Sequence, residues 1–330
     1  MNTWRRRNDV RRLWTRISSF LAPWVAARGE QTASYPKLFI VGAPRSGTTW
    51  VNTIFAHHPS VITERESSLY SRIMEPLRTL GARNPAAWEK ILHSKSRGPI
   101  GLHRYVSDRV LAEIVAAAQS RLTAGVRWTD EDAANFVIRR IIDHFFFAHG
   151  GSPRRLFVEK TPVHVLYGRE ILRAFSDAKI LIVLRDGRDV CASLEIRARG
   201  ADWDATSRFD QIQTWTQSVK AGIALREDPE FQDRIELVRY ETLKRDPISE
   251  ITRLFAFAGL PTTPRMVKRV ARRTEFRRHR KTGPGRHNNK GVVGGWRDLF
   301  SEGDLRLFEQ HAGDLMRRCG YGDESGTRAA

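Results

Sequence analysis

The chain has 330 residues, 41% hydrophobic and 28% charged, which bounds it to one large domain or two modest ones with length enough to bury a core. That composition excludes disordered, collagen-like and coiled-coil chains. The net charge is +19, but residues 1–37 hold +6 of it and residues 265–297 hold +11, so a uniformly basic nucleic-acid coat is excluded too. Charge clustered in this way points to a localised anionic partner: a phosphate-bearing ligand, a membrane surface or nucleic acid.

Residues 1–36 read as a basic N-terminal arm. Their apolar run, Ile17 to Ala27, has eleven uncharged residues interrupted by Pro23, short of the roughly 18–20 that a membrane span needs. Six arginines precede it, so a signal peptide, even a twin-arginine type at Arg11–Arg12, is the alternative. The arm is preferred because the run is short and broken. Trp4, Leu13, Trp14, Ile17, Leu21 and Trp24 give residues 1–28 an apolar face for a membrane surface or another subunit.

From Lys37 the pattern changes. Leu38 to Val41 is a continuous apolar run that predicts a strand buried on both faces, and Trp50 to His57 has helical spacing that His58-Pro59 ends. Ser60 to Thr63 is a short strand candidate. Residues 71–150 read as a helical insertion, with helices over 106–122 and 130–149, the second opened by Thr129 and Asp132 in the manner of an N-cap. Strands are expected at Leu156–Val158, Ile180–Leu184 and Ile235–Val238, separated by helical segments over 165–175, 189–198, 205–226 and 247–258. This alternation argues for an α/β fold with a central, mostly parallel sheet covered on both faces. Residues 277–300 read as a basic loop that joins the domain spanning 37–330. Cys191 and Cys319 support neither a disulfide framework nor a cysteine-based zinc site; they suit a reducing compartment, and a cytoplasmic location is expected.

The segment Gly42-Ala43-Pro44-Arg45-Ser46-Gly47-Thr48-Thr49 has the frame of a P-loop, two glycines separated by four residues, between a buried strand and a helix. Amides of Ser46, Gly47, Thr48 and Thr49 are expected to face the turn, where the helix N-terminus favours an anion. The lysine of nucleoside triphosphatases is replaced by Thr48, while a cation remains at Arg45. ATP or GTP hydrolysis fits poorly without that lysine.

The same segment, through Trp50, resembles the 5′-phosphosulfate loop of sulfotransferases that use 3′-phosphoadenosine-5′-phosphosulfate (PAPS). Ile182 to Ser193 resembles that family's 3′-phosphate motif, with Arg185 at a strand end and Ser193 eight residues later. Val158-Glu159-Lys160-Thr161-Pro162 resembles an element of carbohydrate and bacterial members, and Lys290 to Arg297 resembles the C-terminal cofactor loop. Asn289 stands where many members have Arg, and Arg286 or Arg280 is left to supply that guanidinium. The resemblance runs from about residue 37 to 300, apart from 71–150. It implies a P-loop type three-layer sandwich and sulfuryl transfer from PAPS to a hydroxyl or amine, releasing 3′-phosphoadenosine-5′-phosphate (PAP).

The resemblance also implies the site. Arg45, Ser46, Gly47, Thr48, Thr49, Trp50, Arg185, Ser193, Lys290 and Gly291 bind the cofactor, with Trp50 a candidate for stacking on adenine. Arg45 and Lys160 stabilise the transferring sulfonate. Glu66, within Thr63-Glu64-Arg65-Glu66 and followed by Tyr70, is similar to the base-bearing segment of heparan O-sulfotransferases; Glu64 is the reserve and His164 the competing base. Tyr240 to Leu243 resembles a structural turn of the family. No metal is expected. The acceptor is a small molecule, a carbohydrate or a lipid, its pocket shaped by residues 71–150. Two rivals remain: an ATP-dependent P-loop phosphotransferase, and a basic protein that binds nucleic acid or anionic surfaces.

Overall fold

The computed structural model describes residues 34–94, 100–198, 207–275 and 291–322. In chain order, β1 (Lys37–Gly42) leads through the glycine turn to α1 (Thr48–Ala56) and β2 (Val61–Thr63). A π-helical turn, Tyr70–Met74, runs into α2 (Glu75–Leu80), followed by α3 (Pro85–His93), α4 (Asp108–Thr123) and α5 (Asp130–Ala148). Next come β3 (Leu156–Lys160), a 3-10 turn at Pro162–Tyr167, α6 (Gly168–Ala174), β4 (Ala178–Leu184), α7 (Gly187–Ala198) and α8 (Arg208–Arg226). The chain ends through β5 (Ile235–Arg239), α9 (Tyr240–Arg245), α10 (Pro247–Phe257), α11 (Pro264–Thr274), a 3-10 turn at Gly295–Asp298 and α12 (Glu302–Arg318).

The strands form a five-stranded sheet in the order β2-β3-β1-β4-β5, and the β2–β3 and β4–β5 pairs are parallel, with Ile62 opposite Phe157 and Ile182 opposite Leu237. Burial follows position. All of β1 is buried, whereas the terminal strand β5 leaves Glu236, Leu237 and Arg239 half-exposed. Connections leave β1 and its neighbour β4 in opposite directions along the sheet, which makes their carboxyl ends a topological switch point, the usual ligand crevice of such sheets.

The strands and helices expected from the sequence are present within a few residues. The Thr129 signal is a full capping box: the Asp132 amide donates to the Thr129 hydroxyl at 3.1 Å, and the Thr129 amide donates to the Asp132 carboxylate at 2.9 Å. Helix α11 falls in what read only as a basic stretch. Its apolar side, Val267 and Val270, is buried, while Arg265, Lys268, Arg269, Arg272 and Arg273 follow each other at helical spacing on the exposed side. Tyr240 to Leu243, expected as a turn, opens the short helix α9. Among the described residues no helix is long and apolar enough to cross a membrane.

The chain divides into two compact units. Of the described residues, the first unit holds those up to Lys37, within Ser60–Thr161 and Ala174–Asp177, and the second holds those within Leu38–Pro59, Pro162–Arg173 and from Ala178 onward. In the first unit Tyr35 stacks on Phe146 of α5 at 3.9 Å and donates its hydroxyl to Asp143 at 2.6 Å. In the second, Trp215, Phe308, Val190 and Leu184 belong to one buried cluster around the start of α7. Gly187 is needed there, because a β-carbon would stand 2.6 Å from Phe308 and 2.7 Å from Trp215.

Helix α5 also buries His144 completely, and burial, with the His149 charge second, lowers its pKa from 6.5 to about 4. The unfolded chain therefore takes up a proton near pH 6.5 that the folded chain refuses until about pH 4. Stability should be independent of this group above pH 7 and fall as the pH drops through that window, by about 3 kcal/mol in all. Urea unfolding between pH 7.5 and 4 checks this, and His144→Leu should flatten the acid limb.

Candidate functional site

The second unit builds an anion site from the turn after β1. Gly42 (φ 145°) and Gly47 (φ 104°) adopt backbone conformations that other residues avoid. Both are also too close to neighbours for a side chain: a β-carbon on Gly42 would lie 2.4 Å from the Val183 carbonyl, and one on Gly47 2.5 Å from the Tyr240 ring. Arg45, between them, holds a left-handed φ of 71°. The Ser46 amide does not face the turn as expected but closes it, donating to the Ala43 carbonyl at 3.1 Å. Tightness of the turn is the reason. The Ser46 hydroxyl is buried without a hydrogen-bond partner. Gly47 caps α1 without a side-chain hydrogen bond, so the helix's positive end is not neutralised by a capping side chain.

Arg185 stands just past the carboxyl end of β4, and Ser193 is two turns into α7, so strand end and helix face put both beside the turn. Arg45 Nε donates to the Ser193 hydroxyl at 3.1 Å. Arg185 donates to the Arg45 carbonyl at 3.2 Å and to the Val292 carbonyl at 3.0 Å, and its guanidinium lies 4.4 Å over the Tyr240 ring. Its Nε–H is buried without a partner. Trp215 donates to the Arg185 carbonyl at 3.1 Å, which anchors this backbone to the core cluster. The neighbouring Asp186 pairs with Arg188, not with Arg185.

Three residues to which sequence reasoning gave no part in the site organise this cluster. Asp189, in the first turn of α7, accepts the amides of Gly294 at 2.8 Å and Trp296 at 3.1 Å. Burial raises its pKa, and Arg185 and the Gly294 amide work against that rise. Tyr240 packs under Gly47 and donates to the Gly291 carbonyl at 3.0 Å, and Lys244 donates to the same carbonyl. The loop carrying Gly291 and Val292 is thus tied to α7 and α9. Each of these contacts joins residues far apart in sequence, and no local pattern announces them. Lys290, Arg280 and Arg286 lie outside the described residues.

Trp50 does not present an unencumbered ring. Its indole N–H donates to the Thr274 carbonyl at the end of α11, 2.9 Å away, and it meets Tyr240 edge-on at 5.4 Å. Thr48 is buried and Thr49 exposed in the first turn of α1. His164 is fully buried in the 3-10 turn after β3, edge-on to Tyr167, as a packed residue would be. Burial pushes the Cys191 thiol up to about 12 and raises Cys319 as well. No group of His, Cys, Asp or Glu able to hold a metal occurs among the described residues.

The first unit carries a second constellation. Lys160, at the end of β3 and almost completely buried, places its Nζ 2.5 Å from the Glu66 carboxylate, which stays a quarter exposed. The residues around Glu66 are held from several sides. Gly101 donates its amide to the Glu66 carbonyl at 2.7 Å, Tyr105 its hydroxyl to the Arg65 carbonyl at 3.0 Å, and Arg104 pairs with Glu64 at 2.9 Å. The Glu66 carboxylate is thus both reachable by solvent and fixed beside a buried ammonium.

Residues 36–264 match the model of the sulfotransferase family. The chain belongs to that family. Among curated relatives, a protein-tyrosine sulfotransferase of Drosophila melanogaster is 25% identical over 68% of this chain and 38% of its own length. Carbohydrate sulfotransferase 5 of mouse is 28% identical over 43% of this chain and 41% of its own length. The chain therefore spans about two fifths of the length of these relatives. The solved structure of sulfotransferase STF9 from Mycobacterium avium superposes with a TM-score of 0.50 at 14% identity, covering 94% of this chain and 84% of that one. That likeness supports the α/β fold expected from strand and helix alternation.

Proposed function

We propose that this sulfotransferase moves the sulfuryl group of PAPS to a hydroxyl or amine acceptor. The observation that carries the reading is the cluster of Arg45, Ser193 and Arg185 around the glycine turn, with the Ser46 hydroxyl and the Arg185 Nε–H both buried and unpartnered. Those donors suit a nucleotide with phosphate groups at both ends. PAPS, when bound, supplies a sulfuryl group on a phosphate leaving group. In this reading Arg45 and the first-turn amides of α1 hold the 5′ end, and Arg185 and Ser193 hold the 3′-phosphate. Glu66 accepts the acceptor's proton, and Lys160 holds the Glu66 carboxylate in place and lends positive charge to the transferring sulfonate.

The exposed cations of α11 raise the local concentration of anionic nucleotide near the same turn. The named relatives act on tyrosine and carbohydrate, both hydroxyl-bearing, so a hydroxyl is the preferred acceptor here. Two free, buried cysteines support a cytoplasmic location. The membrane-surface role given to residues 1–28 falls outside the described residues.

Calorimetric titration with PAP, ATP–Mg²⁺ and AMP tests the reading. Selective binding of PAP is expected. Preference for ATP–Mg²⁺ would favour the phosphotransferase rival, and salt-sensitive binding to DNA with no response to PAP would favour the polyanion-binding one.

A further inference from the structure

Strand alternation turns Glu159 and Lys160 to opposite faces of β3. Lys160 meets Glu66. Glu159 is fully buried and takes hold of the next residues of the same segment. One of its carboxylate oxygens accepts the Ser67 hydroxyl at 2.6 Å, the Thr161 hydroxyl at 2.6 Å and the Ser67 amide at 3.3 Å. Each hydroxyl, having given its proton to Glu159, uses a lone pair for a further amide. The Ser68 amide donates to Thr161 Oγ1 at 3.1 Å, and the Leu69 amide donates to Ser67 Oγ at 3.2 Å.

The segment so held is strained. Ser68 sits at φ 56°, a left-handed conformation that residues other than glycine rarely adopt. It persists because the Thr161 hydroxyl, oriented by Glu159, accepts the Ser68 amide. Burying a carboxylate is itself unfavourable unless its hydrogen bonds are made, and here three donors converge on one oxygen. A turn needing only structural closure could be closed by apolar packing. What this network adds is a fixed direction for the backbone one residue after Glu66, while Gly101 fixes the Glu66 carbonyl.

We propose that Glu159 is a positioning residue. It sets the Glu66 carboxylate against Lys160 by locking Ser67 and Ser68 from the other face of the strand. The role rests on the reading of Glu66 as the base. An error of about 1 Å in such a group costs on the order of 100-fold in rate.

The test compares Glu159→Ala, Glu159→Gln and Ser67→Ala with Glu66→Gln. PAP release from PAPS is followed with water and 4-nitrophenol as acceptors, alongside PAP affinity and thermal stability. Glu159→Ala should lower kcat roughly 10- to 100-fold with PAP affinity unchanged. Glu159→Gln, whose amide oxygen still accepts both hydroxyls, should recover most of that loss, and Ser67→Ala should fall between. A folded Glu159→Ala protein with wild-type kcat, beside an impaired Glu66→Gln, would overturn the positioning role alone. Should Glu66→Gln keep full activity, the base assignment fails instead. Positioning is then judged by the crystal structures of Glu159→Gln and Ser67→Ala: an unmoved Glu66–Lys160 pair in Ser67→Ala refutes it, and a displaced pair there with an unmoved one in Glu159→Gln supports it.

Discussion

Replacing Arg185 with Ala should weaken PAP binding by roughly 100-fold, since a charge-assisted contact to phosphate is worth about 1.5–3 kcal/mol and a guanidinium makes more than one. The effect is large because this side chain has two tasks. Its terminal nitrogens bridge the carbonyls of Arg45 and Val292, tying the turn after β1 to the C-terminal loop, and its Nε–H is the buried donor left over for a ligand. Arg185→Lys should recover little, because a single ammonium cannot bridge two carbonyls and a phosphate with the spacing of a planar fork. Calorimetry with PAP measures both variants. Unchanged affinity in Arg185→Ala would remove the 3′-phosphate assignment.

Glu66→Gln should lower turnover by about 100- to 10,000-fold while leaving PAP affinity within a factor of two or so, the range expected for loss of a general base. The substitution keeps shape and removes charge. Lys160, only 4% exposed, then loses its counter-charge, so a modest drop in Tm should accompany the loss of turnover. Turnover measured as PAP release from PAPS, with affinity measured separately, distinguishes a base from a binding residue. Full activity would move the base role to Glu64, which here is engaged with Arg104.

Much of the fold was legible because its signals are local. Leu38 to Val41 and Ile180 to Leu184 are uninterrupted apolar runs of strand length, and strands buried on both faces require that. The glycines at 42 and 47 declared a phosphate-type turn between strand and helix, and Arg185 and Ser193 declared a strand end facing a helix. Helix α11 was harder to see, because five cations in eleven residues mask an apolar side made only of small and medium residues. The capping boxes at Ser207 and Ser301 open α8 and α12 as Thr129 opens α5.

The sequence by itself determined the alternation of strands and helices and the phosphate-type turn, which follow from spacing within short windows, and its motifs carried the resemblance to the family. Tertiary structure decided the partners. Lys160 meets Glu66 across 94 positions, Arg45 meets Ser193 across 148, and Asp189 holds the amide of Gly294 across 105. It also decided that the Ser46 amide closes the turn, that Trp50 is held by Thr274, and that Tyr240 lies under Gly47. The physical reason is common to all of these. A hydrogen bond or ion pair between distant residues leaves no periodic trace in either segment, and only the packing of the sheet and its helices brings the two together.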